Sequence, residues 1–268
     1  MPIQDIGSIE TEFCRNFEYF FTDIDDTITT DGMMPVGALE DIWKLSKAGI
    51  KVILVTGRPA GWCDYFARMW PVAGIIGENG AFYFTYNRTD KKMKRVYLQT
   101  DAVRKAGKEG LERISRRVLS EVPGCGISAD QPFRIADLAI DFCEDVPTLS
   151  DDSINKICRI IEEEGAVYKV SSIHINCWFG DYDKLTCFDR FLMDFTDSHL
   201  AAMQEKIIYI GDSPNDEPMF EKLKYSAAVN NIVNFLDRME HYPAYKSSLN
   251  SGEGFREIVR TILTKRGY

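Results

Sequence analysis

A chain of 268 residues, 45% hydrophobic and 27% charged, is long enough to bury a full core without disulfide or metal staples. Its formal charge of −9 and pI near 5.0 argue against nucleic acid or an anionic membrane as the main partner, but not against a small anionic substrate met by local cations or a metal. Seven scattered cysteines (Cys14, Cys63, Cys125, Cys143, Cys158, Cys177 and Cys187) include no C-x-x-C pair, which disfavours a zinc knuckle and suits a reducing compartment. The polar stretch from Met1 to Asn16, with no membrane-length apolar run after it, leads to the expectation of a cytoplasmic protein.

The first predicted element is a buried strand, Tyr19-Phe20-Phe21-Thr22, which runs into Asp23-Ile24-Asp25-Asp26-Thr27. Carboxylates ending a buried strand are costly unless a cation or ligand compensates them. Side chains two apart in a strand point the same way, so Asp23 and Asp25 are placed to converge beyond the strand end, where open α/β sheets bind ligands. A hard divalent cation such as Mg²⁺ fits oxygen donors there. An acidic turn explains the pair equally simply, and a second D-x-D, Asp181-Tyr182-Asp183, has no long apolar strand before it.

After Pro35 a helical pattern places Val36, Leu39, Ile42, Trp43 and Ala48 on an apolar face that stops at Gly49. A β-branched strand, Ile50 to Val55, ends in Thr56-Gly57-Arg58-Pro59. A second helix follows, reading Trp62, Phe66 and Trp70 as core and halting at Pro71. Ala73 to Ile76 is the next strand, ending in Gly77-Glu78-Asn79-Gly80. Strand, helix, strand, helix, strand predicts a parallel, doubly wound sheet. The far end repeats this grammar: Lys206 to Ile210 is a strand, Gly211 to Asp216 a loop, then come a short helix and the strand Ser226 to Val229.

The middle differs. Asn87 to Lys92 reads as a linker and Ala102 to Glu121 as a helix. Leu138 to Phe142 and Ser172 to Trp178 alternate like half-covered strands around a helix from Ser153 to Glu164 and a strand from Val167 to Val170. The expectation is a core of residues 1–84 and 185–268, interrupted by an α+β cap over 85–184. On its last strand His174, Asn176 and Trp178 share one face. That face either reads the substrate or is an ordinary solvent face.

Three further features fall at strand ends or a helix start. Thr56-Gly57 offers a hydroxyl and an N–H to an anion. Lys184 lies just before a predicted helix, and Gly211-Asp212-Ser213-Pro214-Asn215-Asp216 adds two carboxylates after a tight exit. Each has a plain alternative as a turn, a helix cap or a solvated lysine. As an ordered set, Asp23-x-Asp25-x-Thr27, Thr56, Lys184 and Gly211-Asp212-x-x-Asn215-Asp216 resemble the four motifs of the haloacid dehalogenase superfamily. The insertion after the third strand, and Asn79-Gly80-Ala81 beside it, are similar to the subclass with a C2-type cap. That subclass includes Cof-like, sucrose-phosphate, trehalose-phosphate and mannosyl-phosphoglycerate phosphatases. Asp26 departs from the glycine usual in Cof-like members.

The resemblance implies a phosphatase acting on a small phosphorylated metabolite, a sugar phosphate being the expectation. It implies Asp23 as nucleophile and Asp25 as general acid and base. Mg²⁺ would be held by Asp23, the Asp25 carbonyl and Asp212, with Asp216 at or near the metal. Thr56, Gly57 and Lys184 would bind phosphate with help from Asn215. Two alternatives stay open: a phosphosugar mutase using the same aspartyl-phosphate, and a non-catalytic phosphosugar-binding protein.

Overall fold

The structure is a computed structural model that describes residues 2–171 and 173–268. In chain order its main elements are β1 (Gln4–Asp5), α1 (Thr11–Asn16), β2 (Tyr19–Thr22), α2 (Val36–Lys47), β3 (Lys51–Val55), α3 (Ala60–Met69), β4 (Gly74–Gly77), β5 (Phe82–Asn87) and β6 (Lys92–Tyr97). Then come α4 (Asp101–Glu121), β7 (Gly126–Ile127), β8 (Asp137–Asp141), α5 (Asp151–Glu163), β9 (Val167–Val170) and β10 (His174–Trp178). The chain closes with α6 (Lys184–Thr196), β11 (Ile207–Gly211), α7 (Glu217–Lys222), β12 (Ser226–Ala228), β13 (Tyr245–Lys246) and α8 (Ser251–Arg266).

Nine strands form one sheet in the order β1-β13-β12-β11-β2-β3-β4-β5-β6, parallel except at β5 and β6. Its buried strands read as nearly continuous apolar runs because both faces are covered. Phe20, Leu54 and Ile210 point to one side, where Ile42, Ile258 and Ile262 of α2 and α8 pack. Phe21, Val55 and Tyr209 point to the other, against Phe188 and Phe191 of α6 and Met219 of α7. The register fixes function: Thr22 lies opposite Leu54 on one side and Ile210 on the other. The segments leaving β2, β3 and β11 therefore emerge at one edge.

The second sheet, antiparallel β7-β8-β10-β9, carries α4 and α5 on one face. Leu138, Ile140, Ile175 and Cys177 meet Ile114, Val118, Ile157 and Ile161 there. The opposite face is the one occupied by Asp137, His174 and Asn176. This is the inserted α+β cap. The strand expected from Ser172 begins at His174, and Ser172 itself lies outside the described residues.

Three expectations need correcting. Residues 87–92 are the tip of a hairpin rather than a linker. Asn87 pairs with Lys92 and the hairpin adds β5 and β6 to the main sheet, so residues 85–97 belong with the core sheet. Polar composition misled here because both residues flanking the tip are sheet-edge positions. Lys184, placed at the end of the insertion, opens α6 instead. In α2 and α3 the buried faces are Ala38, Ile42, Leu45 and Ala60, Cys63, Ala67, while Val36, Trp43 and Trp62 are exposed and Phe66 and Trp70 only partly buried. Turning Ala38, Ile42 and Leu45 inward in α2, and Ala60, Cys63 and Ala67 inward in α3, leaves Trp43 and Trp62 on the outer faces.

Candidate active site

Asp23 continues the ladder of β2, its N–H donating to the Ile210 carbonyl at 2.9 Å. Its side chain meets Lys184, whose Nζ lies 2.9 Å from Asp23 Oδ1 and 3.2 Å from Asp216 Oδ1. Lys184 reaches this point because it is the first residue of α6, capped by the Asp183 carboxylate on the Thr186 N–H at 2.7 Å. That cap is the role of the second D-x-D. The helix start seats against Gly80, which has φ +105°, and a Cβ there would stand 2.0 Å from the Asp183 carbonyl. Only glycine satisfies both conditions, which gives Asn79-Gly80 a reason beyond resemblance.

The loop after β11 supplies Asp212 and Asp216. Gly211 leaves room for the Asp216 carboxylate, which a Cβ would meet at 2.3 Å. Both Asp216 oxygens are engaged. Oδ1 accepts from Tyr209 at 2.5 Å and from Lys184, and Oδ2 accepts from the N–H groups of Asp212 at 3.0 Å and Ser213 at 3.4 Å. Asp212 instead points to the cavity, flanked by Thr27 Oγ1 and Asn231 Nδ2, each at 3.3 Å. Asn215 lines the same cavity.

Three nearly buried carboxylates, Asp23, Asp212 and Asp216, thus gather around one ammonium, Lys184, which contacts Asp23 and Asp216 but not Asp212. Burial, opposed by Lys184 and reinforced by Asp216 and Asp25, raises the Asp23 carboxyl to about 7. Burial followed by Asp216, Asp23 and Asp26 pushes Asp212 well above the usual carboxylate range. Burial pulls Lys184 down, but Asp216 and Asp23 outweigh it and raise its pKa. The excess of negative charge asks for a cation. Among the described residues no three His, Cys, Asp or Glu side chains form a ready-made cage. The donors that do face the cavity, the Asp23 and Asp212 carboxylates, are of the kind that fit Mg²⁺, which is held by one or two carboxylates while keeping waters and substrate oxygens.

On the β3 side, Thr56 is fully buried and its Oγ1 accepts from the Arg58 N–H at 3.0 Å. Arg58 turns its guanidinium onto Asp25 in a forked contact, with Nη2 2.8 Å from Oδ1 and Nε 3.0 Å from Oδ2. Asp26, the residue that departs from glycine, has φ +56°. This is the left-handed region that glycine favours and aspartate tolerates. Its carbonyl accepts from Asn231 at 3.0 Å and its N–H donates to Thr29 Oγ1 at 3.0 Å.

The cap covers this edge and encloses a cavity of about 540 Å³ lined by Asp23, Asp25, Arg58, Lys169, His174 and Asn176 among others. His174 Nε2 lies 2.8 Å from Glu144 but is not aligned as a hydrogen bond. Burial lowers its pKa against the pull of Glu144. Trp178 does not join them. It is 1% exposed, stacks on Tyr182 and donates Nε1–H to the Tyr182 carbonyl at 3.2 Å. Although alternation puts it on the His174 face, the strand end where it sits lies over the main core, which claims the ring.

A profile of the haloacid dehalogenase-like hydrolases matches residues 20–118 and 143–238. The chain belongs to this family. A Methanobrevibacter smithii protein named phosphoglycolate phosphatase is 25% identical over 258 residues, covering 92% of this chain and 99% of its own. A Metallosphaera sedula protein of the same name is 26% identical, covering 91% and 97%. A solved Thermoplasma acidophilum structure superposes with a TM-score of 0.68 at 20% identity, covering 92% of this chain and 99% of that one. The Synechocystis sucrose-phosphatase, solved with sucrose and phosphate, gives 0.63 at 13%, covering 92% and 98%. The haloacid dehalogenase-like chain is thus a hydrolase of the C2-capped kind.

Four residues of this hydrolase site carry no assignment from sequence: Arg58, Glu78, Arg134 and Asn231. Arg58 directly follows Thr56-Gly57, so its position was the available signal. Arg134 and Asn231 arrive from distant loops and offered none.

Proposed function

We propose that this hydrolase is a Mg²⁺-dependent phosphomonoesterase that works through an aspartyl-phosphate and takes a small phosphorylated acid. The observation that carries the reading is Asp23, gripped by Lys184 at 2.9 Å and facing a cavity bounded by Asp25 and Asp212. A carboxylate oxygen of Asp23 attacks phosphorus while the ester oxygen departs and takes a proton from Asp25. Asp25 then removes a proton from the water that cleaves the acyl-phosphate, releasing phosphate and restoring Asp23. The Thr56 hydroxyl, the Gly57 N–H and Lys184 hold the phosphoryl oxygens, and Asn215 assists. Arg58 orients Asp25 and gives up part of its fork when the leaving group enters. Asp23, the Asp25 carbonyl and Asp212 would hold Mg²⁺, which would supply the charge that lets one anion approach another. With both oxygens committed, Asp216 serves to hold Lys184 and the loop rather than the metal.

The cavity wall presents cationic side chains, among them Lys169 from the cap and Arg58 from the core. Those groups favour a carboxylate, in keeping with relatives named phosphoglycolate phosphatase. A sugar phosphate is the second reading, favoured by about 540 Å³ of space, more than a two-carbon acid needs. The test is purified protein with Mg²⁺ against 2-phosphoglycolate and a panel of sugar phosphates, measuring both phosphate release and isomer formation. Fastest phosphate release from 2-phosphoglycolate is expected. A preference for sugars selects the second reading, isomerisation with little phosphate release indicates a mutase, and inactivity on all esters indicates a binding protein.

A further inference from the structure

The peptide between Gly57 and Arg58 is held at both ends. Its carbonyl accepts from Arg134 Nη1 at 3.0 Å, and its N–H donates to Thr56 Oγ1 at 3.0 Å. Arg134 belongs to the cap, so one peptide plane joins a cap side chain to the hydroxyl assigned to phosphate. By taking a donated hydrogen bond, Thr56 Oγ1 is left with its single proton to offer elsewhere. The guanidinium itself is fixed. Its side chain is 2% exposed, with Nε 2.8 Å from Asp130 Oδ1, Nη2 3.0 Å from Asp130 Oδ2 and Nη1 3.1 Å from Asp137. Asp137 in turn accepts from Asn176 at 3.0 Å.

The core answers with Glu78, which is fully buried. Its carboxylate accepts the N–H groups of Ile135 at 3.0 Å, Ala136 at 2.7 Å and Asp137 at 3.2 Å from the cap, and of Ala60 at 2.9 Å from α3. A cap guanidinium thus grips core backbone while a core carboxyl group grips cap backbone, across the phosphate loop.

We infer that Arg134 is a positioning residue for phosphoryl transfer: seated by Glu78, it orients the Thr56 hydroxyl, so docking of the cap completes the phosphate grip. The inference rests on Thr56 binding phosphate as proposed above. It separates Arg134 from a residue that merely reads the leaving group, because the phosphate grip is common to every ester.

The test is a double-mutant cycle in the full chain with Mg²⁺, combining Thr56→Val and Arg134→Gln. It compares kcat and KM for 2-phosphoglycolate and for p-nitrophenyl phosphate, whose leaving group has no carboxylate. Each single variant is expected to lower kcat on both substrates by on the order of 10- to 100-fold. The double variant should fall within about twofold of the weaker single, as for residues acting as one unit. Losses that multiply overturn the inference while leaving the phosphatase reading intact. So does an Arg134→Gln defect confined to KM for 2-phosphoglycolate. Thr56→Val at the wild-type rate overturns the inference together with the assignment of Thr56 to phosphate, and leaves the phosphatase reading standing. If melting curves show that Arg134→Gln does not fold, Arg134→Lys replaces it in the same cycle. It keeps the charge between Asp130 and Asp137 without the planar fork, and the same outcomes decide.

Discussion

Replacing Asp212 with asparagine should make the metal-free protein more stable and the enzyme inactive. Asp212 is 6% exposed and faces Asp216, Asp23 and Asp26, with Lys184 opposing them only in part. Its raised pKa means that the ionised form is penalised in the fold, and each tenfold rise in proton affinity corresponds to about 1.4 kcal/mol. Relieving one incompletely compensated buried charge is worth about 2 kcal/mol, the order that a buried group without a full partner costs. That corresponds to a Tm gain of about 4–8 °C for a chain of this size. The amide can keep both neighbours, accepting from Asn231 and donating to Thr27. The sign in pH follows from the raised pKa. Asp212 contributes favourably below its unfolded value of about 3.8, and this is lost as pH rises through the higher folded value. The advantage of asparagine is therefore largest at alkaline pH and vanishes toward pH 4. Saturating Mg²⁺ should invert the order, because at 100 Kd it stabilises the wild type by about 2.7 kcal/mol and the variant far less. Thermal melts with EDTA and with Mg²⁺, at pH 8 and pH 5, measure all of this. Metal-free Asp212→Asn melting no higher than wild type at pH 8 would sink the charge argument.

Asp23→Asn should lose at least about 10⁴-fold in kcat while retaining its circular dichroism spectrum; a turning-over, Mg²⁺-dependent Asp23→Asn enzyme contradicts the nucleophile assignment. Trp178→Ala should cost about 3–5 kcal/mol of stability by emptying a core site and leave the ranking of substrates unchanged. Urea titration and the substrate panel check this, and altered selectivity at wild-type stability would return Trp178 to the cavity. Arg58→Lys, which trades a fork for a point charge on Asp25, should lower kcat by about tenfold or more, with a rate equal to wild type removing Arg58 from the mechanism.

The edge that gathers Asp23, Thr56 and Asp212 was legible because its parts are local: each follows a strand whose apolar run is unmistakable, and parallel register brings the ends of β2, β3 and β11 together. Even the departure at Asp26 has a local cause in its backbone conformation. What escaped was what tertiary contact decides. Glu78 looks like part of a turn until residues 135–137 of the cap descend on it. Trp178 obeys the alternation of its strand, but alternation gives a face and not what lies beneath it. In α2 the apolar face expected to include Trp43 runs instead through Ala38, Ile42 and Leu45, a rotation that the packing partners and not the period decide.

The hairpin at residues 82–97 has a bearing on how the protein behaves in crowded solution. A sheet of nine strands ends in unpaired backbone on two sides, an invitation to intermolecular strand addition. One side is β1, only two residues long. The other is β6, where Lys92, Lys94 and Arg95 crowd a six-residue strand. Positive charge on the rim repels an identical rim, so molecules that meet edge to edge do not zip together. Lys92, part of the segment that looks like a linker, thus belongs to the charge that opposes strand addition at this edge.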